Sequence, residues 1–231
     1  MDILSTQEWQ AVALSLRVSL WATLCSLPPG IAVALVLARG RFPGRQLLNG
    51  IVHLPLILPP VVTGYLLLTT FGTKGPVGGL LEQCCGIVFA FRWTGAALAA
   101  GIMAFPLMVR SIRLAIEAVD PKLEQAAATL GASPFRVFAT VTLPLVMPGI
   151  LAGSILAFAR AMGEFGATIT FVSNIPGQTQ TLPSAIYAFL QVPGGEASAL
   201  RLVAISVAIA MTALLVSEAI AARIARRIAG S

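Results

Sequence analysis

The sequence predicts an all-α integral membrane protein with about five, or six, transmembrane helices. Of its 231 residues, 57% are hydrophobic and only 10% are charged, whereas soluble domains carry roughly 25% charged residues. Several uncharged runs approach the ~20 residues that a helix needs to cross the hydrocarbon core. In such a protein the residues behind the net charge of +6 indicate how the spans are oriented, because Lys and Arg gather in the loops on one side. We therefore expect membrane lipid around the chain and no nucleic-acid partner.

Five spans can be placed within one domain that covers residues 1–231. The first contains Pro28 and Pro29, which should bend it. The second contains the run Leu-Pro-Leu-Ile-Leu-Pro-Pro at 54–60. Because these prolines free backbone carbonyls, that span should face protein neighbours or a wet cavity. The predicted spans are residues 11–38, 47–71, 93–113, 145–172 and 201–222.

Lysine and arginine predict the orientation of these spans. Most of them lie in three segments, which follow spans one, three and five and share one side of a five-span protein. The excess of Lys and Arg in short loops marks the cytoplasmic side. We therefore expect an N-terminus outside, a cytoplasmic C-terminus, and a cytoplasmic segment 118–144. The ten cations are Arg39, Arg41, Arg45, Arg110, Arg113, Lys122, Arg136, Arg223, Arg226 and Arg227.

Two loops remain on the outer side. Residues 72–92 are glycine-rich, and residues 173–200 contain a short helix that Thr181-Leu182-Pro183 begins and Pro193 ends. The apolar residues of this helix suit an interfacial or re-entrant segment.

The cytoplasmic segment predicts two short helices joined by a tight corner. Asp120-Pro121 is a helix start, with an N-cap side chain followed by proline. Gly131 should end this helix, because glycine adopts the left-handed conformation without strain. Ser133-Pro134 should start the second helix, and Pro144 should close it. The alanines at 126–128 let another surface approach closely, so we interpret the first helix as a docking helix.

This segment resembles the signature loop of ABC-importer permeases, which reads Glu-Ala-Ala, three residues, Gly, nine residues, Ile, any residue, Leu-Pro. Every spacing is kept. Gln125 stands where the family has Glu, and Val141 where it has Ile; Glu124 keeps a carboxylate one residue earlier, at a different position around the helix. The resemblance implies contact with an ATPase through Glu124, Gln125, Ala126, Ala127, Leu130, Gly131, Val141, Leu143 and Pro144.

One pair of charges lies within an apolar run. Arg160 and Glu164 occur in span four, and ionisable groups at membrane depth are candidates for a transport pathway. The alternative is a structural ion pair or an interface anchor. Arginine before glutamate at this spacing is the weaker order on a helix, which favours partners on other helices. The candidate pathway or gate residues are Arg160, Gly163, Glu164, Gly166, Thr168 and Thr170; the alternative for the two glycines is close helix packing.

Signatures of enzymes are missing from the sequence. It contains no Gly-x-x-x-x-Gly-Lys-Ser/Thr phosphate loop, so the chain is not expected to hydrolyse ATP itself. It has one histidine, His53, and three cysteines without metal-ligand spacing. We expect a transport subunit rather than an enzyme, with no catalytic residues, no metal site and no cofactor bound by this chain.

Three further stretches narrow the resemblance to one branch. The run from Leu54 to Tyr65 is similar to the second span of molybdate ABC-transporter permeases. The run Phe158–Gly166 resembles molybdate and sulfate permeases alike. The stretch from Asn174 to Tyr187 is similar to the molybdate branch.

The resemblance implies the permease of a type I importer in the bacterial inner membrane. Two permease copies would assemble with two cytoplasmic ATPase subunits, which bind ATP and Mg, and with a periplasmic oxyanion-binding protein that delivers molybdate. Access to the pathway would alternate as the ATPases move the docking helices. The alternatives are a permease for sulfate, thiosulfate or tungstate, and a passive anion channel or secondary carrier, which would transport without an ATPase.

Overall fold

The computed structural model describes residues 4–229, with side chains described for all of these except 217, 218 and 220–229. The described part is helical. In chain order the helices are α1 (Thr6–Arg39), α2 (Arg45–Ile57), α3 (Pro60–Phe71), α4 (Pro76–Cys85), α5 (Trp93–Glu117), α6 (Pro121–Thr129), α7 (Pro134–Val137), α8 (Leu143–Met162), α9 (Gly166–Val172), α10 (Leu182–Leu190) and α11 (Glu196–Ala229).

The helix that contains the first predicted span is longer than that span. Helix α1 has 34 residues, which at 1.5 Å per residue is about 51 Å and exceeds the hydrocarbon core. Ser5 and Glu8 form a reciprocal capping box at its start: the Ser5 N–H donates to Glu8 Oε2 at 2.6 Å and the Glu8 N–H to Ser5 Oγ at 3.3 Å. Because these bonds satisfy amides that would otherwise be unpaired, the helix begins five residues before the predicted span.

Helix α5 is the centre of the core. Its small residues (Ala96, Ala99 and Ala100) and its larger ones (Met108 and Ile112) are fully buried. Helices α1 and α8 pack along it. The five-span prediction is consistent with this arrangement, because four described helices are long and apolar enough to cross a membrane and a bent pair can supply a fifth span.

The second predicted span, residues 47–71, is not one helix. Helices α2 and α3 meet at an angle of 112°. Leu58 is extended, with ψ of 144°, because the proline that follows it disfavours the helical conformation. Pro59 and Pro60 then lack the N–H groups that a continuous helix would need, so the prolines break this span rather than only bending it.

The fourth predicted span, residues 145–172, also differs from the structure. Pro144 does not close a helix, since helix continues from Pro134 to Met162 through a π-turn at Phe138–Thr142. The N–H of Leu143 bonds to the carbonyl of Phe138, five residues back. Pro144 follows just after this π-turn, where the regular i to i−4 hydrogen bonds are already interrupted, so its missing N–H is tolerated. At the other end the helix stops at Met162, and α9 begins only after residues 163–165.

The two loops predicted outside contain one expected helix and one that was missed. The predicted short helix is confirmed as α10. Helix α4 was missed within residues 72–92, where glycines at 75, 78, 79 and 86 obscure a helix that starts at Pro76. The three predicted cations Arg223, Arg226 and Arg227 lie outside the residues whose side chains are described.

Ion pairs link the loops that were predicted to share one side. Glu117, at the end of α5, contacts Arg113 at 2.8 Å and Arg45 at 3.8 Å. Arg39, at the end of α1, contacts Glu124 of α6 at 3.3 Å. The segments after spans one and three therefore lie at the same end of the molecule.

Candidate functional site

The first candidate site is an elbow formed by residues 121–142, which comprise α6, the corner at 130–133, α7 and the π-turn. Asp120 is the N-cap of α6, and its side chain accepts the N–H of Lys122 at 2.9 Å. Gly131 ends the helix with φ of +83°. The N–H of Ala132 bonds to Ala127 O and that of Gly131 to Ala128 O, which is a Schellman motif. The predicted start, stop and corner are confirmed.

The outer face of the elbow is exposed. None of the α6 residues is buried. Leu130 and Phe135 are 89% and 81% exposed, and Leu123 is 49% exposed. Large apolar side chains in a polar segment lose favourable burial when they face water, so this surface has the character of an interface. Gln125 and Ala126 are exposed beside them.

The inner face of the elbow is held by Glu124. Its Oε1 accepts the Thr142 hydroxyl at 2.8 Å and an Arg39 N–H at 3.3 Å. Arg39 also donates to the carbonyl of Val119 at 3.0 Å. Gln125 therefore faces outward while Glu124 faces the rest of the chain. The predicted contact of Glu124 with an ATPase stays a prediction, but its carboxylate already joins three elements of this chain.

The remaining residues of the signature lie along the second arm of the elbow and just beyond it. Val141 and Leu143 there are partly buried, whereas Pro144 is exposed. Ala127, on the first arm, is partly buried too. Val141 belongs to the π-turn, a geometry found frequently at functional sites. The structure thus brings the whole signature into one corner.

The second candidate site is the break between α8 and α9. Arg160 and Glu164 pair with each other, with Nη1 and Oε2 2.8 Å apart. The expectation of partners on other helices is therefore wrong for these two charges. The reason is local: Glu164 lies beyond the end of α8, at a break that frees it from regular helical geometry.

Glu164 also serves α9 as a cap. Its Oε1 accepts the N–H of Ala167 at 2.8 Å, and its side chain is only 2% exposed. A carboxylate at a helix N-terminus stabilises the unpaired N–H groups there. The buried carboxylate therefore fixes where α9 begins and is neutralised by Arg160, whose side chain is 28% exposed.

The two glycines of the break differ in their surroundings. A Cβ on Gly166 would lie 2.6 Å from Pro60 Cβ, so close packing accounts for this glycine, as the alternative interpretation predicted. Gly163 has only Ala159 O near its Cβ position, at 3.9 Å, and it ends α8. Close packing does not account for Gly163.

The predicted hydroxyls are engaged with their own helix. Thr168 donates to Phe165 O and Thr170 to Gly166 O, both at 2.9 Å. Thr168 is buried and Thr170 is partly buried. Their hydroxyl hydrogens are therefore occupied here, and a role in the pathway stays a prediction.

Sequence reasoning missed the partners that hold both sites. Arg39 was considered only as one of the ten cations that predict orientation, and Thr142 was not singled out. Gly64 was given no role of its own within the run from Leu54 to Tyr65, yet a Cβ there would lie 2.5 Å from Ala167 O and 2.8 Å from Thr170 Cβ. A glycine four residues after Pro60 was the local signal that the broken helices α3 and α9 pack closely.

The family of the chain follows from its fold and its match to known proteins. The family model described as binding-protein-dependent transport system inner membrane component matches residues 30–230. The chain therefore belongs to this family of inner-membrane transport components.

Relatives within the family confirm the resemblance to molybdate permeases. The chain is 62% identical over 228 residues to the molybdenum transport system permease protein ModB of Escherichia coli (strain K12), covering 99% of each protein. It is 53% identical over 221 residues to the protein of the same name in Haemophilus influenzae, covering 96% of each.

Solved structures confirm the fold. A bacterial ABC transporter that imports the acidic polysaccharide alginate has a chain that superposes with a TM-score of 0.76 at 19% identity, covering 95% of this chain and 80% of that one. The inward-facing methionine ABC transporter MetNI gives 0.67 at 14% identity, covering 94% of each chain. The predicted ABC-importer permease fold is thus the fold observed.

Proposed function

We propose that this chain is the membrane-spanning permease subunit of an ATP-driven molybdate importer. The observation that carries the proposal is the 62% identity to a molybdenum transport permease over 99% of both proteins. The aligned region covers nearly the whole chain and therefore includes both candidate sites. In this proposal a separate ATPase subunit binds ATP and Mg and hydrolyses the ATP.

The elbow is the surface proposed for the ATPase. Its exposed Leu130 and Phe135 supply apolar contacts, and the small residues of α6 allow a close approach. Since Glu124 links α6 to α1 and to the π-turn, movement of the ATPases would be passed to both elements as a rigid body.

The broken helices would then change the pathway. Helices α3 and α9 pack on each other through Gly64 and Gly166, and each follows a break in its span. Two packed half-helices joined to their spans at breaks can tilt together. We propose alternating access by this motion, between two copies of the chain, with an external binding protein delivering the anion.

The proposal includes the orientation of the chain: N-terminus outside, C-terminus and elbow in the cytoplasm. A Leu130→Cys variant, in a background with Cys25, Cys84 and Cys85 replaced by serine, tests it. A membrane-impermeant thiol reagent should label residue 130 in inverted vesicles and not in intact cells. Labelling of intact cells would overturn both the orientation and the ATPase contact.

The substrate is tested by uptake into proteoliposomes. The permease is reconstituted with its candidate ATPase and binding protein, and uptake of molybdate, tungstate, sulfate and thiosulfate is measured with and without ATP. We expect ATP-dependent molybdate uptake. Sulfate uptake that exceeds molybdate uptake would favour the sulfate alternative, and uptake without ATP would favour a channel or carrier.

A further inference from the structure

An open cavity of about 660 Å³ lies between α1, α2 and α5, and its lining is almost entirely apolar. We call it the groove. Trp93 and Phe105, which are twelve residues apart on α5, lie toward opposite ends of it. Neither the elbow nor the break between α8 and α9 contributes to its walls.

A polar pocket of about 540 Å³ lies beside the chain turn between α1 and α2. It is lined by Arg45, Asn49 and Arg113. Arg113 contacts Glu117 at 2.8 Å and Asn49 Oδ1 at 3.1 Å. Arg45 donates to the Leu37 carbonyl at 2.9 Å and lies 3.8 Å from the same Glu117 carboxylate. Because two guanidinium groups share one carboxylate, this cluster keeps one net positive charge.

The two cavities lie along the same helices. On α2, Asn49 of the polar pocket is three residues from Val52 of the apolar cavity, a rise of about 4.5 Å. On α5, Arg113 is eight residues from Phe105, about 12 Å, and the apolar cavity continues for a further ~18 Å to Trp93. Together the two cavities extend about 30 Å along α5. The apolar cavity takes about 18 Å of this length, which is close to the ~15 Å that one leaflet contributes to the ~30 Å hydrocarbon core.

We propose that this groove binds one anionic phospholipid. Its phosphate would lie against Arg45 and Arg113, and one acyl chain would fill the apolar cavity. Arginine binds phosphate oxygens in paired hydrogen bonds, and basic pockets between membrane helices bind anionic lipid headgroups. A free phosphate would leave the apolar cavity unfilled. A second copy of this chain would have to bury the surplus positive charge, which is costly unless the charge is paired.

Native mass spectrometry of the purified full-length chain tests the proposal. Equal amounts of phosphatidylglycerol and phosphatidylcholine with identical acyl chains are offered in the same detergent. We expect phosphatidylglycerol to be retained in preference. The R45A/R113A double variant should reduce its retention about thirtyfold, since each of the two arginines near an anionic headgroup contributes on the order of 1 kcal/mol.

Two further variants distinguish binding of the lipid headgroup from binding of its acyl chain. Arg110→Ala removes an exposed cation of the same helix as Arg113 that does not line the pocket, and it should leave retention unchanged. Cys25→Phe places a large side chain in the apolar cavity from its exposed wall, and it should weaken binding of both lipids.

Three results would overturn the proposal. Equal retention of the two lipids by the unchanged chain would do so whether or not any variant folds. So would an equal loss in R110A and in the double variant. The third is a disulfide between Cys25 of two copies, formed by oxidant in membranes of a C84S/C85S variant, because it would show that a second copy covers the groove.

Discussion

Arg39 and Glu124 are 85 positions apart in the sequence, and their side chains meet at 3.3 Å. The contact ties the end of α1 to the elbow, and Arg39 strengthens it by donating to Val119 O at 3.0 Å. In the proposed importer, the same contact makes α1 move with the surface that an ATPase would touch. We therefore expect it to take part in coupling as well as to stabilise the fold.

Removing this link should separate ATP hydrolysis from transport. We expect Arg39→Ala to keep ATPase association while molybdate uptake per ATP hydrolysed falls, because α1 no longer follows the elbow. The cost in stability should be about 1 kcal/mol, since both side chains are partly exposed. Uptake and ATP hydrolysis measured on the same proteoliposomes give the ratio.

The matched control for that experiment is Arg41→Ala, which removes an exposed cation two residues further on. Its uptake per ATP should equal that of the unchanged chain. The swap R39E/E124R should restore part of the ratio that R39A loses. A ratio unchanged in R39A would show that α1 is not part of the coupling path.

Gly131 provides a test of the elbow's shape. Gly131→Val forces a branched side chain into a backbone with φ of +83°, which costs about 1–2 kcal/mol. Because a Cβ there would meet no atom within 4 Å, the strain acts through the corner alone. We expect the purified variant to retain less ATPase, as measured by co-purification at matched expression.

Gly86 is the control for the corner. It ends α4 with φ of +65° and also has open space around its Cβ position. Gly86→Val imposes a similar backbone strain outside the elbow and should leave ATPase association intact. If G131V kept full association and full uptake, the elbow would lose its proposed role.

The elbow shows what local sequence could and could not predict. Its start at Asp120 and its stop at Gly131 depend on the conformations of single residues, and these predictions are confirmed. The closure at Pro144 was wrong, because a π-turn placed that proline where its missing N–H does no harm. The link from Arg39 to Glu124 had no local pattern at all, since only packing of α1 against α5 brings the two residues together.

The broken spans illustrate the same limit. The prolines at 54–60 predicted a disturbed helix, but the 112° angle depends on where α3 finds its partner. That partner is α9, and the two meet at Gly64 and Gly166. Hydrophobic residues that recur at helical spacing predict that a helix exists. A glycine that two helices need for close contact can be recognised only once the second helix is known.

The contact of α3 with α9 predicts a strong effect of one methyl group. Gly64→Ala would place a Cβ 2.5 Å from Ala167 O and 2.8 Å from Thr170 Cβ. Forcing these helices apart should cost about 1–3 kcal/mol, as overpacking does. Thermal unfolding in detergent measures the loss.

The control is Gly50→Ala on α2, where a Cβ meets no atom within 4 Å and alanine favours helix by about 1 kcal/mol. Equal melting temperatures for the two variants would show that the α3–α9 contact is not tight.

The charge pair at the α8–α9 break predicts a defect in transport rather than in insertion. Arg160→Ala leaves the Glu164 carboxylate, which is 2% exposed, without its cation. Breaking a fully buried pair costs about 3–5 kcal/mol, and the partial exposure of Arg160 lowers this to roughly 1–3 kcal/mol.

Since Glu164 also caps α9 through Ala167, its displacement would shift α9 against α3. We therefore expect membrane levels of R160A near those of the unchanged chain and a larger fall in molybdate uptake, with partial recovery in Arg160→Lys. Arg17→Ala is the control, because Arg17 stacks on Trp93 at 3.7 Å, away from the break. Normal uptake by R160A would leave the pair with a structural role only.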